Sequence, residues 1–140
     1  MLRFERSRCP DPAVHDGPIS ALGGTIEILL DGSEGYGLLD SVTIDASGYL
    51  YLTDGGHGAD LSRIYRYDAT LDALTVLAQA DPTLFDPNAG SPAFLTDLEM
   101  LGGITDASSA FGPGWFVFAL SDSSQQAAQL LALYDPAAAP

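Results

Sequence analysis

Residues 41–53 read SVTIDASGYLYLT, and this stretch decides the fold class. Ser41 to Ile44 and Tyr49 to Thr53 are rich in the β-branched, aromatic and apolar residues that are typical of strands. The residues between them, Asp45 to Gly48, are typical of a tight turn, because glycine adopts a positive φ without a steric cost. The stretch therefore predicts a β-hairpin.

Two further strand patterns follow the hairpin. Residues 63–67, RIYRY, alternate polar and apolar side chains with a period of two, as a half-buried strand does. Residues 73–78, ALTVLA, form another apolar run after a turn. Four strands within about 40 residues match the size of one β-propeller blade. Residues 39–80 are therefore predicted to form a complete blade.

The same order of signals returns in the second half of the chain. Residues 44–47, IDAS, are echoed by residues 104–108, ITDAS, and a strand and a Tyr-Asp pair follow in both copies. The second copy has a longer first turn and no fourth strand pattern. We therefore predict an incomplete blade at 94–135, a leading strand at 25–30 and an irregular lead-in at 1–24.

The predicted fold is all-β, with about two blades of antiparallel four-stranded β-propeller type. Two blades cannot close a ring, because each sheet of a propeller buries both faces against its neighbours. The main expectation is a fragment of a six-bladed ring, and residues 25–140 are assigned to this partial propeller. Self-association of the chain and collapse into a small β-sandwich are the two alternatives.

Charge restricts the partners of this chain. Its 140 residues suit one domain, and they include 19 Asp and Glu against five Arg, with a formal net charge of −14. Phosphate backbones and anionic lipid surfaces would be repelled. We therefore expect neither nucleic acid nor membrane as a partner.

Cysteine content and the first residues bear on the compartment. The single cysteine, Cys9, cannot form an internal disulfide. Residues 1–12 carry charged side chains where a signal peptide has its apolar stretch, and no apolar run approaches the roughly 20 residues that span a bilayer. We expect no export signal within this sequence, and its compartment stays open.

Six segments of the chain resemble the C-terminal part of the PhoX-class secreted alkaline phosphatases and their bacterial relatives. They occur in the same order and with the same spacing as in that family, and they lie at Asp40–Gly48, Tyr49–Gly55, Arg63–Asp68, Leu74–Phe85, Asp97–Leu120 and Gln129–Tyr134. The resemblance implies a propeller fold. It also implies metal-dependent phosphoester hydrolysis, at calcium and iron ions that carboxylates hold around the propeller axis.

The chain departs from the family at positions that carry carboxylates. Where relatives read Glu-Glu-Ser-Ser-Gly, residues 98–102 read LEMLG, so one carboxylate is replaced by an apolar side chain. Where relatives read Gln-Glu-Asp-Gly, residues 53–56 read TDGG. We therefore expect a partial, degenerate phosphatase-like propeller that is not catalytically competent alone. The alternative is a non-catalytic β module for binding or assembly.

Five residues are the candidates for a metal site. Asp54 and Glu99 are the best of them, because calcium takes six to eight oxygen ligands and needs several carboxylates. Asp97 and Asp106 flank Glu99, and His57 lies between two carboxylates in a glycine-rich loop. We expect calcium to bind weakly and iron not to bind. The competing hypothesis is that Asp54 caps a turn, Glu99 lies on an exposed strand face and His57 is solvated.

The remaining expectations concern packing and partners. Arg63 and Arg66, three positions apart on a strand, should point to different faces and each pair with an aspartate. Trp115, Phe116 and Phe118 are predicted to lie in the core. Partners are expected to be further copies of the chain, bound through strand edges, or the missing propeller blades.

Overall fold

A computed structural model of the chain describes residues 28–56, 60–122 and 127–139. The chain divides into two compact units, residues 1–33 and 34–140. In the first unit, the amide of Ser33 donates to Asp31 Oδ1 at 2.9 Å. The predicted lead-in and the first half of the predicted leading strand lie outside the described residues. The prediction is wrong for residues 28–30, which form no strand.

The first sheet, sheet I, is a four-stranded antiparallel meander. Its strands pair in chain order and are β1 (Leu39–Ile44), β2 (Leu50–Asp54), β3 (Arg63–Asp68) and β4 (Ala73–Gln79). The predicted hairpin is confirmed, because Gly48 has a φ of 90° and its amide donates to the carbonyl of Asp45 at 3.1 Å. The four strands predicted within residues 39–80 are therefore present.

The second sheet, sheet II, has three antiparallel strands. They are β5 (Glu99–Asp106), β6 (Trp115–Asp122) and β7 (Ala127–Tyr134), again in chain order. Two short helices lie in the connections, α1 (Pro82–Phe85) before β5 and α2 (Ser108–Phe111) before β6, and a 3₁₀ turn at Pro136–Ala138 follows β7. The all-β class is confirmed, while the two sheets do not close a ring within the described residues. No helix in these residues is long and apolar enough to cross a bilayer.

The two sheets pack face to face around one aromatic pair. Tyr51 of β2 and Phe116 of β6 are both fully buried, and their rings stack with centroids 3.9 Å apart. Ile64 joins them from sheet I, and Leu101 and Phe118 join them from sheet II. Burying these side chains supplies the apolar contact that holds the sheets together.

Trp115 departs from the predicted core. Phe116 and Phe118 are buried as predicted, whereas Trp115 is only half-buried. Successive side chains of a strand point to opposite faces. Trp115 therefore lies on the outer face of sheet II, where its ring contacts Phe111 at 6.2 Å and Tyr134 at 5.2 Å between centroids.

Four turn aspartates give the internal repeat a structural basis. In each, Oδ1 accepts the amide of the residue two positions later, which is a side-chain mimic of a backbone turn. They are Asp45 and Asp68 in the first copy, and Asp106 and Asp135 in the second. The repeated signals seen in the sequence are thus largely turn-forming carboxylates.

Candidate metal centre

Asp54, the last residue of β2, is buried with 3% exposure. Its Oδ2 accepts the amide of Gly37 at 2.8 Å and its Oδ1 accepts the amide of Leu38 at 2.9 Å. The hydroxyl of Tyr65 donates to Oδ2 at 3.4 Å. Both carboxylate oxygens therefore tie the segment before β1 to the end of β2.

Glu99, the first residue of β5, is equally buried, with 3% exposure. The expectation that it lies on an exposed strand face is wrong, because its side chain points toward the loop that precedes β3. The amide of Ser62 donates to Glu99 Oε1 at 3.3 Å, and the hydroxyl of Ser62 donates to the Glu99 carbonyl at 3.3 Å. This carboxyl thus links sheet II to sheet I.

Burial raises the pKa of Glu99, and the nearby charge of Asp97 adds to the increase. Hydrogen bonds from the amides of Glu99 and Ser62 oppose it without cancelling it. Burial disfavours the charged form of a carboxyl group. The folded chain is therefore more stable with Glu99 protonated than with Glu99 ionised.

Gly56 brings the end of β2 against the loop that holds Glu99. It has a φ of 50°, and a Cβ atom there would lie 2.5 Å from the Asp60 carbonyl and 2.6 Å from the Ser62 amide. Only glycine fits this position without displacing the backbone. Gly56, two residues after Asp54, therefore lies against Ser62, whose amide donates to Glu99.

Of the other candidate ligands that the structure describes, Asp106 lies away from this loop and Asp97 lies near Glu99. Asp106 ends β5, roughly 20 Å along the strand from Glu99, and its Oδ1 accepts the amide and the hydroxyl of Ser108. Asp97 lies two residues before Glu99 and is half-buried. His57 lies outside the described residues.

The donor set fits calcium poorly. Calcium takes six to eight oxygens at about 2.3–2.6 Å, and the described residues contain no group of three or more His, Cys, Asp or Glu side chains placed to hold a metal. The oxygens of Asp54 already accept amide hydrogens. A cation there would have to share both oxygens with these amides.

Asp135, Arg66 and Tyr51 form an ionic cluster between the sheets, and the sequence patterns did not predict this cluster. Asp135 follows β7 and is 5% exposed, and its Oδ2 accepts Arg66 Nη1 at 2.8 Å and the Tyr51 hydroxyl at 2.9 Å. The Tyr51 hydroxyl also lies 3.4 Å from Asp45 Oδ2, and Arg66 lies over the ring of Tyr49 at 5.1 Å. Burial alone raises the pKa of Asp135, but hydrogen bonds from the Ala137 amide, Tyr51 and Arg66 outweigh it and lower the pKa.

The same cluster keeps the Tyr51 hydroxyl protonated and holds Arg66 in an ion pair. Burial, and then the hydrogen bond and charge of Asp135, strongly raise the pKa of Tyr51, so its hydroxyl stays protonated as a donor. The predicted pairing of Arg66 with an aspartate is confirmed. Arg63 Nε donates to Gln79 Oε1 at 2.8 Å. The paired arginine is therefore engaged in holding the two sheets together.

A cavity of about 210 Å³ lies beside the far end of β6 and β7. Its lining is mainly apolar and includes Phe85, Leu95, Thr96, Leu120 and Ser121. Asp122 also borders this cavity and already has an interaction of its own. The hydroxyl of Ser121 in this lining donates to the Met100 carbonyl at 3.4 Å.

No protein-family model, curated protein or solved structure matches this chain.

Proposed function

We propose that this chain is a non-catalytic β module for binding or assembly, built from two sheets of propeller type. Its likeness to the PhoX-class phosphatases is then a matter of ancestry. The observation that carries the proposal is the use of Asp54 and Glu99, since both carboxyl groups are buried and bonded to the backbone of neighbouring segments.

The hydrogen bonds of Asp54 argue for a structural role. Two amides at 2.8 and 2.9 Å donate to its two oxygens and fix the chain entering β1. Bonds from a donor to an ionised carboxylate are among the stronger hydrogen bonds in proteins. A metal ion bound by Asp54 would have to share both oxygens with the Gly37 and Leu38 amides.

The pairing of Arg66 supports the same proposal, because it bears on how a phosphate ester would be bound. A phosphoester hydrolase needs positive charge to bind its substrate and to stabilise the transition state. Arg66 is instead paired with Asp135 at 2.8 Å. With a formal net charge of −14, the chain also repels a phosphate ester at long range.

The proposal predicts no turnover of a phosphate ester. A chromogenic aryl phosphate, incubated with the purified chain and added calcium and ferric ions, should be hydrolysed at the rate of the buffer with the same ions. The variant Glu99→Gln should give the same rate, because the amide side chain would keep an oxygen that accepts the Ser62 amide hydrogen. Calcium-dependent turnover that Glu99→Gln abolishes would show that the chain is an enzyme and would refute the proposal.

A further inference from the structure

The two copies of the repeat differ at their last strand. In sheet I, β4 pairs with β3 along the edge that faces away from β2. In sheet II, β7 occupies the place of β3, and no described strand pairs with its other edge. The amide and carbonyl groups along that edge of β7 are therefore not bonded to a strand within the described residues.

The sequence of β7 lacks the features that protect free edges. Edge strands usually avoid pairing with other chains through charged side chains, proline or a bulge. The eight residues of β7 read AAQLLALY and contain no charge, proline or glycine. Its pairing with β6 is regular from Trp115 to Asp122. Among the described strands, β7 thus offers a regularly paired edge without a bulge or charge that would prevent another strand from pairing.

Several side chains of β7 are exposed. Leu130 is 78% exposed and Tyr134 is also exposed, both on the outer face of sheet II. Ala128 and Ala132, the neighbours of Leu130 on that face, are small and exposed. A second strand can therefore approach β7 without meeting a charged side chain of β7.

Charge indicates what kind of strand fits. Two copies of this chain carry a formal net charge of −14 each and repel one another wherever their carboxylates meet. The charged residues of sheet II are Glu99, Asp106 and Asp122, and none of them lies on β7. The edge of β7 lets two copies touch without bringing carboxylates together.

We propose that β7 pairs antiparallel with β7 of a second copy of this chain. A two-fold axis then satisfies both edges at once, as in most homodimers. The two copies form one continuous six-stranded sheet, with the partner's β7 where β4 lies in sheet I. This inference rests on the proposed assembly role and supplies its partner.

The dimer is expected to be weak, because one strand pair buries less surface than a standard interface. Sedimentation equilibrium of the full chain should show its mass rising from monomer toward dimer between about 10 and 500 µM. Leu130→Glu should weaken dimerisation at least about tenfold, since like charges meet across the new strand pair.

Leu71→Glu is the matched control. Leu71 is 74% exposed and lies in the turn between β3 and β4, so the same substitution adds the same charge away from β7. This variant should dimerise within about twofold of the original chain. The proposal would be overturned if both variants dimerised equally. It would also be overturned if the unsubstituted chain were still a monomer at about 500 µM, the highest concentration tested.

Hydrogen exchange of the unsubstituted chain gives a readout that does not depend on a variant folding. The amides of β7 should exchange more slowly at about 500 µM protein than at about 5 µM. The exchange rates of the β2 amides should be the same at both concentrations. Slow exchange of β7 at both concentrations would assign this edge to another segment of the same chain and overturn the proposal. Phosphate ester turnover is measured separately, so failure of the dimer and failure of the non-catalytic role are distinguishable.

Discussion

Replacing Phe116 with alanine should lower the free energy of unfolding by about 4 kcal/mol. The Phe116 ring is fully buried and stacks on Tyr51 of the other sheet at 3.9 Å. Its removal forfeits the transfer free energy of the ring and leaves a cavity between the sheets. Chemical denaturation followed by circular dichroism measures this loss.

Phe111→Ala is the control for this prediction. Phe111 is 61% exposed, and its ring contacts Trp115 outside the core. Its removal should change the free energy of unfolding by no more than about 0.5 kcal/mol. Similar losses for the two variants would show that the Tyr51–Phe116 contact does not hold the sheets together.

Replacing Asp135 with alanine should cost about 3 kcal/mol at neutral pH. The substitution removes the acceptor of Arg66 and of the Tyr51 hydroxyl, and leaves a charge and a buried donor without their partner. The free energy of unfolding of this variant, measured in the same denaturant series, checks the value.

Asp68→Ala provides the matched comparison, because Asp68 occupies the same place in the repeat. Asp68 accepts the amide of Thr70 as Asp135 accepts that of Ala137, but its bonds stay within its own turn. The loss should be about 1 kcal/mol. A cost for Asp135→Ala no larger than that for Asp68→Ala would contradict a role for the ion pair between the sheets.

The pH dependence of the Asp135→Ala effect has a definite sign. The pKa of Asp135 is lowered in the folded chain, so its stabilising contribution is fully present above the unfolded value of about 3.9. That contribution is lost as the pH falls through the lowered folded value. The difference between the original chain and Asp135→Ala should therefore be constant from pH 7 to about 5 and shrink below pH 4.

Local signals made the strands predictable from the sequence. The turn at Asp45 to Gly48 contains its own glycine and its own capping carboxylate. In β3, by contrast, the neighbours Ile64 and Tyr65 are both buried, so the predicted period of two does not describe its burial. The same kinds of signal recur in the second copy. Where neighbouring residues determine the conformation, as in these hairpins, the predicted and observed strands agree within a few residues.

The candidate site was less predictable because its contacts join distant residues. Glu99 is bonded to Ser62, 37 positions away, and Arg66 to Asp135, 69 positions away. A carboxyl group on a strand is more often exposed than buried, so composition alone indicated the wrong environment for Glu99. The prediction that Trp115 lies in the core was wrong, because large aromatic rings also cover the outer faces of sheets.

The central claim is that Asp54 and Glu99 are structural carboxyl groups rather than calcium ligands. Calorimetric titration of the full chain with calcium at about 0.15 M salt tests it directly, since this ionic strength suppresses diffuse attraction more than chelation. We predict weak binding that does not saturate by about 1 mM calcium and is the same in Asp54→Asn and Glu99→Gln. Saturable binding at micromolar calcium that either substitution abolishes, in a variant that retains its fold, would contradict the account.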